Sequence, residues 1–353
     1  MAKIVMAGYL GCGNLGDDAV MLGVMDRLGD HDYTIMSGSP SESNQNFGIR
    51  AIDRRDARMT DSAIKESDAV IFPGGSIFQD VTSAKSTIYY NGIVKIAKKH
   101  GKKVIFLGQG VGPLKSWIAR KQAFAAFSAA DLITVRDPGS LTVLREIGIQ
   151  KKVHLAADSA FLMTDPIRDG DEGKYQVGGM PSVAIAPRPA TQKGVDVVTL
   201  FGETCRLLFQ AGYAPNLIEM DSHEDGPLIS AISKQQGGRI PEIKRLGTPR
   251  MSQLRFARME AVIAMRLHAG ILAATVGVPP IMISYDPKVT AFARQLDIGA
   301  ALPLESLTPQ RLFDSFRTHH KNMEKMRPIV EKKRKELLAE AMKSVELANE
   351  ILR

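Results

Sequence analysis

The sequence lacks any apolar run long enough to cross a membrane. No window of about 18 uninterrupted apolar residues occurs among its 353 residues. The apolar stretch at the N-terminus is too short, and is broken too early by Gly8, to form the centre of a signal peptide. We therefore expect a cytoplasmic protein.

Cysteine is also scarce. The only two cysteines, Cys12 and Cys205, lack the spacing of metal ligands, and in a reducing compartment we expect both to be free. We therefore predict that the chain has no zinc site.

Aromatic residues make up only 6% of the chain, and they are not interleaved with basic residues as in proteins that stack nucleic acid bases. The formal net charge of +8 nevertheless favours anionic partners. We predict that nucleic acid is not among them. Phosphate-bearing ligands and an anionic membrane surface stay open, and the basic run at 321–335 is either a membrane contact or a solvated helix face.

Apolar runs followed by turn residues predict two series of alternating strands and helices. The first has strands at 3–9, 33–36, 69–72, 103–107 and 132–135, with helices that include 20–28, 86–100 and 118–130. The second has strands at 182–186, 214–220, 261–264 and 280–284, with helices at 195–211, 228–235 and 268–276. This alternation predicts an α/β fold of two doubly wound, Rossmann-like domains that face a cleft, as in the GT-B architecture.

The stretch 164–181 is rich in turn residues and is the candidate linker. We predict an N-terminal domain over 1–170 and a C-terminal domain over 171–325. A charged amphipathic helix over 326–353 would follow, with the N-terminal domain as the candidate surface for its packing.

A first glycine-rich turn, Gly11-x-Gly13-x-x-Gly16, follows the first strand. The acidic pair after it disfavours a dinucleotide, because pyrophosphate needs open amides at the start of a helix. We predict that Gly13, Asn14 and Asp17 contribute to a site for sugar hydroxyls. The alternative is a turn that only brings the helix close to the sheet.

Two more polar, glycine-rich motifs follow later strands, where ligands of open α/β sheets bind. In the motif at 73–80, expected between a strand and a helix, we predict hydroxyl-binding groups, although its polar side chains could simply cap a helix. The motif at 108–113, also expected at a strand end, permits close backbone approach or is a mere turn. The candidate binding residues of these two motifs are Gly74, Gly75, Ser76, Gln79, Asp80 and Gln109.

Basic side chains follow four predicted strands. Arginine holds carboxylate and phosphate with two parallel hydrogen bonds, and a small anion with several charges needs several such groups. His268 lies next to one of these arginines, at the start of an apolar helix, which favours chemistry over a core histidine. For Arg136 the alternative is an ion pair with Asp137, and for Lys288 it is a solvated side chain. The candidates are Arg136, Arg188, Arg266, Leu267, His268 and Lys288.

Taken in order, six motifs between residues 4 and 298 resemble the polysaccharide pyruvyltransferase family, and within it the CsaB-like members that modify secondary cell-wall polymers. They are Gly8-Tyr9-x-Gly11-x-Gly13-Asn14-x-Gly16-Asp17, Pro73-Gly74-Gly75-Ser76-x-x-Gln79-Asp80, Gly108-Gln109-Gly110-Val111-Gly112-Pro113, Val135-Arg136-Asp137, Arg266-Leu267-His268 and Ser284-Tyr285-Asp286-Pro287-Lys288.

The resemblance implies no metal, no cofactor, and phosphoenolpyruvate as a co-substrate that is bound as donor in the C-terminal domain. The acceptor would be a lipid-linked or nucleotide-independent glycan in the N-terminal domain. It further implies that Arg136, Arg266 and Lys288 bind the donor, with His268 at the reacting carbon. A lipid-linked acceptor would bring the protein to the inner face of the membrane as a peripheral protein. Two alternatives stay open: a GT-B glycosyltransferase that uses a nucleotide sugar, and a glycan-binding protein without catalysis.

Overall fold

The structure is a computed structural model that describes residues 1–81, 83–166, 173–190, 194–244 and 247–353. The chain forms two compact units. The first comprises Met1–Thr164 and Leu337–Arg353, and the second comprises Asp165–Glu336. The predicted boundary between residues 170 and 171 lies outside the described residues.

The first unit alternates strands and helices along the chain. Its elements are β1 (Lys3–Met6), α1 (Leu15–Leu28), β2 (Asp32–Ser37), α2 (Pro40–Phe47), β3 (Arg50–Asp53), α3 (Ala57–Glu66), β4 (Ala69–Phe72), β5 (Gly75–Phe78), α4 (Lys85–Lys99), β6 (Lys103–Val111), α5 (Trp117–Ala129), β7 (Leu132–Val135), α6 (Pro138–Glu146) and β8 (His154–Leu155). A 3-10 turn at Ser159–Leu162 follows.

The strands of the first unit form one parallel sheet in the order β3-β2-β1-β4-β6-β7-β8, and β5 pairs with β6. The central strand β4 is buried at every position, which explains why it reads as an unbroken apolar run. Phe72, Phe78, Phe106 and Phe127 pack together in the core.

The second unit repeats this arrangement around a second sheet. Its elements are β9 (Gln176–Val177), β10 (Met180–Ala186), α7 (Val197–Gln210), β11 (Ala214–Ile218), α8 (Asp225–Gln235), β12 (Glu242–Ile243), α9 (Pro249–Ala257), β13 (Ala261–Ala264), α10 (Leu267–Thr275), β14 (Pro280–Ser284), α11 (Pro287–Leu296), β15 (Leu302–Pro303), α12 (Pro309–Lys321) and α13 (Met323–Leu352). A 3-10 turn at Leu304–Ser306 precedes α12.

The parallel strands of the second sheet run in the order β12-β11-β10-β13-β14-β15, and β9 pairs antiparallel with β10. The predicted α/β fold with two Rossmann-like domains is thus confirmed. Helix α13 ends in the first unit, where Ala341, Val345 and Ala348 are buried and the Ser344 hydroxyl donates to Thr134 Oγ1 at 3.0 Å. Among the described residues, no helix combines the length and apolar character needed to cross a membrane.

Two predictions about the glycine-rich motifs are wrong. The motif at 73–80 does not lead from a strand into a helix, because Gly75–Phe78 forms the additional strand β5 and α4 begins only at Lys85. The motif at 108–113 does not begin after a strand, because β6 continues to Val111. Gly108 has φ +53° at a register shift between β6 and β7, so a bulge allows the strand to continue where the sequence suggests a turn.

Close packing of α1 depends on Gly23. A Cβ at this position would collide with the Ser159 carbonyl oxygen and lie 3.2 Å from Leu162 Cβ. By contrast, a Cβ at Gly92 in α4 meets nothing within 4 Å. Both glycines lie inside helices, so an alanine at either position gains similar helix propensity, and only the contact differs.

We expect Gly23→Ala to lower the free energy of unfolding by about 2 kcal/mol through overpacking. Gly92→Ala should leave it unchanged or raise it by up to about 1 kcal/mol. Urea denaturation followed by circular dichroism measures both variants. Equal stability of the two would contradict the proposed role of Gly23 in packing α1 against the turn at Ser159–Leu162.

Candidate functional site

Polar and charged side chains of the first unit meet at the carboxyl edge of its sheet. The strands β1, β4, β6 and β7 are neighbours in that order, and a sequence motif follows β1, β4 and β7, while in β6 the motif forms the end of the strand itself. Parallel strands end at the same edge, so the residues after them come together. We call these residues the first-unit group: Asn14, Asp17, Ser76, Gln109, Arg136 and Asp158.

Arg136 is the centre of the first-unit group and is only 6% exposed. Its Nη1 donates to Asp158 Oδ2 at 2.6 Å and its Nη2 donates to Ser76 Oγ at 2.8 Å, while Nε lies 3.8 Å from Asp137 Oδ2. Burial lowers the pKa of Arg136, but the nearby carboxylates, Asp158 foremost, outweigh burial, and the net pKa is raised. The guanidinium is therefore permanently charged and already engaged within the protein.

Two glycines leave the space that this group needs. A Cβ at Gly110 would lie 2.7 Å from Ser76 Oγ and 2.8 Å from Arg136 Nη2. A Cβ at Gly75, where φ is +85°, would lie 2.5 Å from Asp17 Oδ1. The glycines thus allow the charged side chains to lie directly against the backbone.

The first glycine turn is followed by Asp18, which is another buried acidic side chain of this unit besides Asp158. The Asn14 side chain caps α1 by accepting from the Gly16 amide at 2.9 Å, and the neighbouring Gly13 is exposed. Asp18 is buried and accepts from the Gly11 amide at 2.8 Å. Burial raises the pKa of Asp18 to about 7.

Three of the predicted binding side chains are engaged with the backbone. Gln79 Oε1 accepts from the Val81 amide, and the Asp80 carboxylate accepts from the amides of Lys115 and Ser116 at 2.7 and 2.6 Å. Gln109 is fully buried and its Nε2 donates to the Phe72 carbonyl at 3.1 Å. These contacts hold loops and strands together, and a role of the three side chains in substrate binding stays a prediction.

A second cluster lies at the carboxyl edge of the second sheet. The strands β11, β10, β13 and β14 are neighbours in that order, and each is followed by charged or polar residues. We call these residues the second-unit group: Arg188, Asp221, Glu224, Asp225, Arg266, His268, Tyr285 and Lys288.

Arg266 is held by three acidic residues of the loop after β11. Its Nε lies 3.1 Å from both carboxylate oxygens of Asp225, and its Nη2 donates to Asp225 Oδ1 at 2.5 Å and to Glu224 Oε2 at 2.8 Å. Its Nη1 is 3.9 Å from Asp221 Oδ2. Burial raises the pKa of the fully buried Asp225, and the ion pair with Arg266 opposes that rise.

Arg188 lies beside this pair and is not fully engaged. Its guanidinium carbon is 4.5 Å from the Tyr285 ring centroid, its Nη1 donates to the Tyr285 hydroxyl at 2.5 Å, and its Nη2 is 3.4 Å from Glu224 Oε2. The buried Nε has no acceptor among the described residues. Glu224, whose side chain is half exposed, thus bridges Arg188 and Arg266 with one carboxylate oxygen.

The remaining predicted residues follow at the adjacent helix starts. Leu267 is the first residue of α10 and is buried, and the half-buried His268 lies in the same first turn. No side chain caps α10, so its N-terminal end favours an anion. Lys288 lies in the first turn of α11, with its Nζ 3.7 Å from Asp286 Oδ2.

The structure adds residues that the sequence analysis did not select for the site. Asp158, Glu224 and Asp225 are the partners of the predicted arginines, and Tyr285 stacks against Arg188. The run Asp221-Ser-His-Glu-Asp225 after β11 was an available signal, because it is acidic and β11 lies next to the strand that carries Arg188.

A further unpredicted cluster surrounds Arg54, which follows β3. Its Nη1 donates to Cys12 Sγ at 3.1 Å and its Nη2 to the Tyr90 hydroxyl at 3.2 Å. The guanidinium carbon also lies 4.8 Å from the Tyr89 ring centroid and 5.4 Å from that of Tyr9, which is 39% exposed. The partly exposed ring of Tyr9 thus lies against the charged guanidinium of Arg54. Such an aromatic surface suits contact with a sugar ring.

Among the described residues, no group of three or more His, Cys, Asp or Glu side chains is arranged to hold a metal ion. The absence of a bound metal and the absence of a cofactor both stay predictions from the sequence.

Comparisons with known proteins agree on a family and on a fold. The family described as "Polysaccharide pyruvyl transferase" matches residues 14–287 of this chain. The amylovoran biosynthesis protein AmsJ of Erwinia amylovora is 24% identical over an alignment 365 positions long, which covers 84% of this chain and 86% of AmsJ.

Two solved structures show the same fold at low identity. The Anabaena protein Alr3699/HepE, in complex with UDP and glucose, has a TM-score of 0.62 and 12% identity, covering 100% of this chain and 99% of its own. The UDP-GlcNAc 2-epimerase of Neisseria meningitidis has a TM-score of 0.61 and 11% identity, covering 98% of both chains. The fold is therefore GT-B-like.

The buried Asp18 generates a prediction on pH. A carboxyl group whose pKa is about 7 in the folded protein, against 3.8 in the unfolded chain, stabilises the fold below pH 4. That stability is lost as the pH rises through 7. Asp18→Asn keeps an acceptor for the Gly11 amide and carries no charge at any pH.

We expect the wild type to lose about 3 kcal/mol of stability relative to Asp18→Asn between pH 4.5 and pH 8, since all other carboxylates are common to both proteins. Urea denaturation at both pH values measures the difference. A constant difference across this range would show that Asp18 is ionised in the folded protein.

Proposed function

Because this chain belongs to the polysaccharide pyruvyl transferase family, we propose that it transfers the pyruvyl group of phosphoenolpyruvate to two hydroxyls of one sugar, as a ketal. The family predicted from the sequence motifs is thereby confirmed, and the chain is a transferase of polysaccharide biosynthesis. The donor, the ketal and the acceptor are the parts that we propose.

The observation that carries the donor proposal is the bridging position of Glu224. Its carboxylate oxygen lies 2.8 Å from Arg266 Nη2 and 3.4 Å from Arg188 Nη2. The carboxylate of phosphoenolpyruvate has the same charge and geometry, so it would replace the half-exposed Glu224 between the two arginines. The phosphate would then lie toward Lys288 and the uncapped end of α10, with Arg188 Nε supplying a further donor.

We place His268 at the reaction as general acid and base. One acceptor hydroxyl attacks C2 of the donor while a proton is delivered to the C3 methylene, which becomes a methyl group. The second hydroxyl then displaces phosphate from C2 and closes the ketal. Histidine can both accept and donate a proton near neutral pH, which suits it to both proton transfers, and Arg188 and Lys288 stabilise the departing phosphate.

For the acceptor we propose the carboxyl edge of the first unit. Asn14, Asp17 and Ser76 supply hydroxyl-binding groups, and Gly13, Gly74 and Gly75 let a sugar approach the backbone. Arg136 was predicted to bind the donor, but its guanidinium already contacts Asp158 and Ser76, which suits it better to positioning them.

The acceptor class that we propose is a lipid-linked precursor of a cell-envelope polysaccharide. AmsJ is named for the biosynthesis of amylovoran, which supports a polysaccharide precursor. Within that acceptor class, the CsaB-like motifs suggest the precursor of a secondary cell-wall polymer.

A glycosyltransferase that uses a nucleotide sugar is the main alternative. The solved structures with UDP or UDP-GlcNAc are only 11–12% identical to this chain, so they support the fold and do not favour this activity. A glycan-binding protein without catalysis is the second alternative, and measurements of turnover separate it from the proposal.

The donor proposal predicts that phosphoenolpyruvate raises the midpoint of thermal unfolding. At a hundredfold excess over Kd the stabilisation is about 2.7 kcal/mol, or several degrees, and UDP and UDP-glucose should have no effect. Arg188→Ala should abolish the shift. Glu224→Gln should enlarge it, because the competing carboxylate is removed.

The matched control is Arg206→Ala, which removes an arginine from a surface ion pair with Glu203 in the same unit and should keep the shift. Stabilisation by UDP alone would support the nucleotide-sugar alternative. An unchanged response to phosphoenolpyruvate in Arg188→Ala would place the donor elsewhere.

His268→Ala should lower turnover by about 10²–10⁴-fold, the usual contribution of a general acid or base, while the thermal shift with phosphoenolpyruvate remains. Release of inorganic phosphate in the presence of acceptor measures turnover. His100→Ala, which removes a partly buried histidine from its hydrogen bond with Asp61, is the control and should retain full turnover. Full turnover in His268→Ala would remove this residue from the chemistry.

A further inference from the structure

Helix α5 is packed with its large apolar side chains outward. The positions that face the core are mostly small: Ala119, Ala123 and Ala126 are fully buried, together with Phe127. On the opposite side Trp117 is 71% exposed, Ile118 46% and Phe124 43%. Trp117 is the only tryptophan of the chain, and such exposure of a large amphipathic ring marks an interaction surface.

The loop after β5 extends this apolar surface. Asp80 accepts from the amides of Lys115 and Ser116, and Ser116 caps α5. This contact fixes the loop beside the start of the helix. Val81, which follows directly, is 62% exposed.

The same surface carries an excess of positive charge. No Asp or Glu occurs from residue 113 to residue 130, whereas Lys115, Arg120 and Lys121 are all exposed. Lys121 Nζ lies 4.8 Å from the ring centroid of Trp117, one turn earlier on the helix. The α5 face therefore combines apolar side chains with basic ones at helical spacing. It consists of Val81, Lys115, Trp117, Ile118, Arg120, Lys121 and Phe124.

We propose that the α5 face docks on a membrane surface that contains anionic lipids. Exposed Trp and Phe side chains enter the boundary between headgroups and acyl chains, and Lys and Arg contact the lipid phosphates. The absence of acidic residues excludes repulsion from an anionic surface within this stretch, and each basic group adds to the attraction.

The basic run at 321–335 lacks this combination. In α13, Lys332 and Lys333 pair with Glu336, and Arg334 and Lys335 pair with Glu331. These four basic side chains thus share two glutamates, and Ile329 is the only large apolar side chain of the run that is exposed. This basic run therefore fits a solvated helix face, and the membrane contact that the sequence suggested there moves to α5.

Docking at α5 would serve the proposed function without depending on it. Helix α5 follows the carboxyl end of β6, so it begins at the edge where the first-unit group lies. A lipid-linked acceptor would then be presented to that edge from the membrane. The docking itself rests only on the exposure and charge of the α5 face.

The single tryptophan makes the proposal directly measurable. Flotation with vesicles of phosphatidylcholine containing one third phosphatidylglycerol should recover the wild-type protein at low salt. Vesicles of phosphatidylcholine alone should not recover it. Brominated lipids in the anionic vesicles should quench the fluorescence of Trp117, and higher salt should weaken binding, because the attraction is partly electrostatic.

The double variant Arg120→Gln/Lys121→Gln should bind the anionic vesicles about 30-fold more weakly, since each basic group near the surface contributes about a factor of five. Ile118→Ser/Phe124→Ser should lose the quenching of Trp117. The matched controls are Lys332→Gln/Lys335→Gln on α13 and Phe209→Ser, a 59% exposed aromatic on α7, and both should bind like the wild type.

The proposal is overturned if the wild type does not bind anionic vesicles at low salt, or if it binds without quenching of Trp117. Equal weakening by the α13 and α5 charge variants would also overturn it, because it would indicate non-specific attraction. Pyruvyl transfer to a water-soluble acceptor should be unchanged in the α5 variants. Failure of the docking surface can thus be distinguished from failure of the proposed reaction.

Discussion

Each unit buries one arginine against an aspartate at the carboxyl edge of its sheet. Arg136 pairs with Asp158 in the first unit, and Arg266 pairs with Asp225 in the second. Removing such groups from water costs several kcal/mol per charge, so neither partner is tolerated in the interior without the other. The two pairs therefore fix the loops that carry them, and the other polar residues of each edge are positioned against these loops.

This constraint limits how an anionic substrate can bind. An arginine that already holds a buried aspartate has little left to offer a phosphate, and displacing that aspartate would leave its charge uncompensated in the interior. Glu224 differs because its side chain is half exposed and can return to water. Exchange of this carboxylate for the carboxylate of a ligand keeps the charge around Arg188 and Arg266 almost constant. The second unit is thus suited to anion exchange without disturbance of its buried pair.

The sequence was sufficient for the fold because central parallel strands are buried on both faces and read as apolar runs. It failed where elements are short or polar: α2 is polar along most of its length, and β8, β12 and β15 have two residues each. The bulge at Gly108 could not be predicted from the sequence either. A glycine with a positive φ inside a strand and a glycine in a turn look the same in a sequence.

For the candidate site, the sequence could place the basic residues but not their partners. A residue that follows a buried strand must lie at the sheet edge, so Arg136, Arg188 and Arg266 could be found from the pattern alone. The acidic partners of these arginines come from other connections between strands. Asp158 lies 22 positions after Arg136, and Asp225 lies 41 positions before Arg266. Such pairs depend on which strands are neighbours, and strand order is not encoded in local periodicity.

The same reasoning applies to the excess of positive charge. Counting basic residues along the sequence pointed to the C-terminal helix, where four of them pair with two glutamates one turn away. At α5 fewer basic residues occur, but the stretch 113–130 contains no acid, and exposed apolar side chains lie between the basic ones. Docking on an anionic membrane needs exposed apolar side chains beside the basic groups, and not basic groups alone. The docking proposal therefore rests on the combination of exposed apolar and basic side chains at α5, and not on the denser basic run at 321–335.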